Sequence, residues 1–174
     1  MAYTFVPLRW RDALAAGRWH YPGAYAHYDF GLLEMLGIAL AEQLLRLIGR
    51  GVYYSVLDER GRFIGLFTFE REGNVVTIGL GLRPSLTGQG LGLAFVEAGL
   101  AFAQARFRPA RFRLDVATFN RRAYRVYERA GFRTTRAFER TMHGRRYAYL
   151  EMERPADCPG SGGGVAGAGR SPAT

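Results

Sequence analysis

Lysine is absent from this 174-residue chain, and all 24 basic side chains are arginine. That excludes a phosphate-loop lysine, a Schiff-base lysine and a lysine general base together. Cysteine is nearly absent as well. Its one copy, Cys158, lies in a Gly/Pro-rich tail, so neither a disulfide framework nor a cysteine-rich zinc site is available. His20, His27 and His143 do not fall at a metal-ligand spacing, and no metal is expected. No G-x-S-x-G elbow occurs. No apolar run approaches the roughly 18 residues of a spanning helix, and the first residues do not read as a signal peptide. The expectation is a soluble cytoplasmic protein without a membrane partner.

Arginine is present in excess, giving a formal charge of +9 and a pI near 10.3. Such a balance suits nucleic acid, an anionic surface or a polyanionic small ligand. The arginines are scattered rather than gathered in a tract, and with abundant Ala and Gly they fit a GC-rich codon bias. Part of the charge is therefore assigned to solvated surface, and a nucleic-acid partner is not expected.

The length fits one domain, able to bury about two thirds of its unfolded surface. Residues 3–7 read as a short strand. An aromatic-rich segment follows, broken by Pro22 and Gly23. Residues 32–48 are apolar nearly all round, which predicts a buried helix. Apolar runs at 52–57, 63–69 and 75–82, joined by "DERGR" and "EREGN", predict an antiparallel meander. From Gly88 the period changes to three and four, predicting a helix that ends before Pro109. "RFRLDVATF" alternates as a strand, reached by a helical crossover and so parallel to the one before. "NRRAYRVYERAGF" predicts a helix capped by Asn120 and stopped by Gly131. Two further runs, near 133–139 and 145–153, form a closing hairpin. The domain is placed at 1–154 and the tail, 155–174, is expected to be disordered.

The stretch "LRPSLTGQGLGLAFVEAGLAF" sets Gly88, Gly90 and Gly92 between a strand and a helix. Such a turn directs backbone N–H groups at an anion without needing lysine. Close packing of helix on sheet is the alternative use of the glycines. The turn lacks the G-K-[ST] ending of a phosphate loop and the alternating start of a dinucleotide fold.

Residues 75 to 132 resemble the GNAT superfamily of acyl-CoA-dependent N-acetyltransferases. The family's Q/R-x-x-G-x-G/A loop is matched by "TGQGLG", and its N-x-x-A-x-x-x-Y-E-x-x-G-F segment by "NRRAYRVYERAGF". The order of elements extends the resemblance over about 1–154. It implies an α/β (α+β) fold: a mixed, mostly antiparallel central sheet flanked by helices, with a splayed strand pair holding the cofactor. It implies acetyl-CoA as the acyl donor and a primary amine, of a small molecule or a protein or peptide N-terminus, as acceptor. A non-catalytic acyl-CoA-binding module is the alternative, and a homodimer is left open.

The resemblance also implies roles for residues. Leu80, Gly81 and Leu82 would pair through their main chain with the pantetheine arm, Gly79 and Gly81 would suit a bulge, and the Leu82 N–H would polarise the thioester carbonyl. Thr87, Gly88, Gln89, Gly90, Leu91 and Gly92 would hold the diphosphate. Thr87 departs from the usual Gln or Arg, and Arg83 or Arg122 would compensate. Asn120 would contact the arm from the far side. Tyr127 would protonate the departing thiolate, and Phe132 would pack. The strand before the loop carries Thr77 and no carboxylate, so the base is sought in Glu70 first, then Glu34 or Asp115. Trp19, His20, Tyr21, Tyr25 and Tyr28 would wall the acceptor pocket.

Overall fold

The computed structural model describes residues 2–29, 31–47, 52–142 and 144–156. Ile48, His143 and the tail from 157, Cys158 included, lie outside the described residues. The chain runs β1 (Thr4–Pro7), α1 (Trp10–Ala16), a 3-10 turn (Gly23–Tyr28), α2 (Leu32–Leu47), β2 (Tyr53–Leu57), β3 (Phe63–Glu72), β4 (Val75–Leu82), a 3-10 turn (Pro84–Leu86), α3 (Gly92–Phe107), β5 (Arg111–Ala117), α4 (Arg121–Arg129), β6 (Arg133–Met142) and β7 (Arg145–Pro155).

One seven-stranded sheet results, in the order β1-β2-β3-β4-β5-β7-β6. Only the β4–β5 pair is parallel, as the crossover through α3 requires. The β2–β3 turn is pinned by Asp58, whose Oδ1 accepts the Arg60 and Arg62 N–H groups at 3.0 and 2.9 Å while its Oδ2 pairs with the Arg62 guanidinium.

Alternation along the strands builds a core on each face. Phe67, Phe69, Val76, Ile78, Phe112, Leu114 and Val116 meet Phe95, Leu100 and Tyr127 from α3 and α4. On the other face Leu57, Phe63 and Leu66 meet Ala13 and Ala16 of α1 and Met35 and Ala39 of α2. A Cβ on Gly99 would lie 2.2 Å from the Phe67 ring, so only glycine lets α3 approach β3 this closely.

Three expectations need correction. The helix predicted from Gly88 starts at Gly92, because Gly88 and Gly90 take φ of +79° and +78°, which no right-handed helix accommodates. No bulge occurs at Gly79 or Gly81, since β3 and β4 pair one to one from Gly65↔Leu82 to Glu72↔Val75. Side-chain crowding explains the first of these glycines: a Cβ at 79 would lie 2.4 Å from Thr68 Oγ1. α2 is buried on one side only, with Leu33, Leu36, Leu40 and Leu44 exposed on the other. β7 runs to Pro155 and Ala156 is buried.

Candidate active site

β4 and β5 pair only over Val75↔Arg111, Val76↔Phe112 and Thr77↔Arg113. Beyond that point β4 continues to Leu82, and β5 follows β7 to Ala117, so a wedge opens between them. The Arg83 N–H donates to the Ile64 carbonyl at 2.8 Å, which fixes the alternation of the β4 main chain. Residues 79, 81 and 83 turn their N–H and C=O groups to β3. Those of Ile78, Leu80 and Leu82 turn into the wedge, away from the β3 ladder. Of the three residues named for main-chain pairing, Leu80 and Leu82 therefore present their polar groups to the gap, and Gly81 does not.

At the open end of β4 lies the glycine loop. A Cβ on Gly88 or Gly90 would meet nothing within 4 Å, whereas one on Gly92 would lie 3.1 Å from Val126 of α4. Gly88 and Gly90 thus serve the turn, and Gly92 serves helix packing. The α3 N-terminus has no side-chain cap, with Leu91 at the cap position, so its first N–H groups remain available. Thr87 Oγ1 donates to the Pro84 carbonyl at 2.8 Å and Gln89 Nε2 to the Ser85 carbonyl at 2.7 Å. Both side chains fasten the loop to itself, which leaves the main chain as its anion-facing surface. Open space, left-handed glycines and an uncapped helix start fit a diphosphate.

The far wall of the wedge is α4. Asn120 Oδ1 accepts the Ala123 N–H at 3.1 Å, the expected cap. Two turns on, Tyr127 is buried at 8% exposure, its ring edge-on to Phe132 at 6.2 Å. Burial, and secondarily the neighbouring Tyr28, push its phenol far above the ordinary value. The Tyr127 hydroxyl is consequently neutral around physiological pH.

The aromatic segment crosses the mouth of the wedge. Tyr21 donates to the Leu82 carbonyl at 2.8 Å, and its own N–H is held by Asp29. Its phenol is pushed up to about 12, first by burial and then by Asp29. Tyr28 reaches the other bank. Its buried hydroxyl faces Asn120 and the Ala117 main chain without closing a hydrogen bond of good geometry to either. Between them Tyr25 lies under the Arg122 guanidinium, 4.8 Å from centroid to charge. Trp19 stacks on Phe63 at 5.2 Å in the second core, and its ring edge lies beside the Tyr21 hydroxyl over Gly81, where an added Cβ would meet them at 3.8 and 3.7 Å. His20 is exposed and pairs with Asp29.

Several neighbours were not singled out by the sequence. Phe119 touches Tyr25, His27 and Tyr28, and His27 Nε2 meets the Tyr149 hydroxyl at 2.5 Å from 122 residues away. Only the "ATF" preceding Asn120 and the alternation of "YAYLE" hinted at them.

The base candidates separate clearly. Asp115 is bound to Arg140 at 2.6 Å. Glu34 sits at the start of α2, where it accepts the Gly31 N–H. Glu70 is exposed and lies directly across from Thr77, at the closed end of the wedge, beside the Tyr53 phenol. Among the described residues there is no cluster suited to a metal ion and no helix long and apolar enough to cross a membrane.

The sequence model of the acetyltransferase (GNAT) domain family matches residues 5–133, about three quarters of the chain. Solved structures share the fold. A spermidine N-acetyltransferase from Vibrio cholerae, in complex with CoA and spermine, superposes with a TM-score of 0.72 at 18% identity, covering 88% of this chain and 95% of its own. A GNAT-family acetyltransferase from Bacillus anthracis gives 0.72 at 14%, covering 90% and 96%. A chimera of the Vibrio cholerae spermidine enzyme with hSSAT gives 0.75 at 18%, again covering 90% and 96%. With the wedge, the glycine loop and the matched domain in agreement, the chain belongs to the GNAT family and is an acetyl-CoA-dependent N-acetyltransferase.

Proposed function

We propose that the acceptor is a primary amine, carried by a small molecule or by a protein or peptide N-terminus, and that it enters through the aromatic mouth of the wedge. The observation that carries this is that Tyr25, Tyr28, His27 and Phe119 gather at that mouth, with Asp115 on the β5 bank and Glu70 at the closed end. Aromatic faces and carboxylates attract a protonated amine, and an apolar wall favours its neutral, nucleophilic form closer in. The Vibrio cholerae relative is described with spermine bound, which supports an amine of this kind.

In this reading acetyl-CoA supplies the activated acyl group. The loop from Thr87 to Gly92 and the α3 N-terminus hold its diphosphate by main-chain donors, with Arg83 and Arg122 adding charge. The inward-facing polar groups of Leu80 hold the arm as an added strand, beside the Leu82 carbonyl that Tyr21 already engages, and the Leu82 N–H stabilises negative charge on the carbonyl oxygen. Glu70 accepts the amine proton, through water from its exposed site. Tyr127 delivers a proton to the departing sulfur, a thiolate whose own basicity rises in the same dry slot. Asn120 positions the arm and caps α4 together.

The experiment is calorimetric titration of acetyl-CoA at physiological salt, with ATP as the anion control, followed by free-thiol release across diamines, amino sugars and short peptides. Selective binding with turnover on any primary amine supports the assignment. Selective binding with no turnover across the panel favours a non-catalytic acyl-CoA module.

A further inference from the structure

α2 carries two apolar faces. Met35, Ala39 and Glu42 turn to the protein and are buried. On the opposite side, at 3.6-residue spacing, stand Leu33, Leu36, Leu40 and Leu44, exposed by 83, 39, 68 and 61%. Leu32 and Leu45 flank the stripe, Gly37 and Ala41 fill it, and no charged side chain interrupts it between Leu33 and Leu44. A helix that needed one apolar stripe to pack against its own sheet has been given a second.

We propose that this stripe is the interface of a two-fold homodimer. Three features select a second copy as its occupant. The first is charge. Each chain carries +9, so two copies repel unless they meet through a face free of arginine, which this stripe provides. An anionic lipid surface would instead call for basic residues along the stripe.

The second is symmetry. A two-fold interface brings one patch against itself, residue i against j and j against i. In an antiparallel pair of α2 helices centred between Leu36 and Leu40, Leu36 faces Leu40 of the other copy and Leu33 falls within about one residue's rise of Leu44. The leucines read almost the same in both directions along the helix.

The third is area. The exposed leucines, flanking Leu32 and Leu45 included, present roughly 600 Å² per chain, so a contact that covered all of them on both copies would remove about 1,200 Å², the lower edge of a specific interface. Trp10, 66% exposed on α1, stands on the helix packed beside α2 and would extend the patch. Patches of this size on a monomer are a signature of interaction surfaces.

The test is light scattering of the purified full chain at tens of micromolar and physiological salt. Wild type should show about twice the 19.4 kDa chain mass. The Leu40→Glu, Leu44→Glu double variant should run at the single-chain mass while binding acetyl-CoA unchanged, which shows that it is folded. A second measurement fixes the geometry. In a Cys158→Ser background, Leu36→Cys mixed with Leu40→Cys should cross-link on oxidation. Leu33→Cys alone should not, because its two copies would lie about 16 Å apart along the helices. A wild-type monomer, a dimer indifferent to the double variant, or retention of a monomer on phosphatidylcholine vesicles through these leucines overturns the proposal.

Discussion

Tyr127→Phe removes one oxygen from the centre of the proposed machinery, and its consequences for folding and for chemistry can be separated. Among the described residues the Tyr127 hydroxyl makes no hydrogen bond, while its ring fills the core beside Phe132. Losing the oxygen leaves the ring in place and strands no partner, so stability should change by less than about 1 kcal/mol, a shift of a few degrees at most in Tm. Acetyl-CoA affinity should hold as well, because the groups assigned to it are main-chain atoms of other residues. The chemical step should suffer alone. A positioned general acid contributes on the order of 10²–10⁴ in rate, about 3–5 kcal/mol in the barrier. The assay is free-thiol release at saturating acetyl-CoA with the best amine found, with calorimetry and thermal melting in parallel. Because the buried phenol stays protonated well beyond its ordinary range, wild-type kcat should show no falling limb from Tyr127 up to about pH 10. A variant with kcat within twofold of wild type and unchanged binding would mean that the thiolate leaves unassisted, and Tyr127 would be only a packing residue.

Three other outcomes follow from the same geometry. Gly90→Ala adds a methyl in open space but at φ +78°, so the cost is backbone strain of about 1–2 kcal/mol, read as roughly tenfold weaker acetyl-CoA binding by calorimetry; unchanged affinity would detach the turn from the diphosphate. Glu70→Gln should lower kcat/KM at neutral pH by about 10²-fold with acetyl-CoA binding intact, and wild-type rates in that variant would pass the role to another base. Tyr21 and Tyr149 are both pushed up to about 12, chiefly by burial. Their folded values exceed the unfolded ones, so the stability they contribute is whole below about pH 10 and is lost as pH rises toward 12. Urea melts at stepped alkaline pH should show that decline, and a flat profile over pH 10–12 would contradict the burial of these phenols.

The element order, the parallel crossover and the Asn120 cap were legible because each rests on local chemistry: period, turn residues and a polar side chain before a helix. Three features were not. The outer face of α2 was read as buried because an all-round apolar pattern carries no record of which side has a partner. The glycines at 79 and 81 suggested a bulge, but the Thr68 hydroxyl that crowds 79 lies across a strand pairing 11 residues away. Trp19 and Tyr21 were grouped by proximity in the chain, but the stacking of Trp19 on Phe63 and the bond from Tyr21 to the Leu82 carbonyl depend on strands more than 40 residues on. In the site, the loop and the cap could be read from spacing. The His27–Tyr149 contact could not, since its partners come from opposite ends of the chain.

Among the described residues, the three register pairs that join β4 to β5 are the sheet's only seam between its β1–β4 half and its β5–β7–β6 half. Mechanically the molecule resembles a book bound at one end of its spine, and anything seated between the open edges supplies the missing stitching. Rigidity across the seam would then track the supply of acyl donor, with about 2.7 kcal/mol of added stability at a ligand concentration a hundredfold above Kd. In a cell, the lifetime of this chain against unfolding and proteolysis would rise and fall with its own substrate.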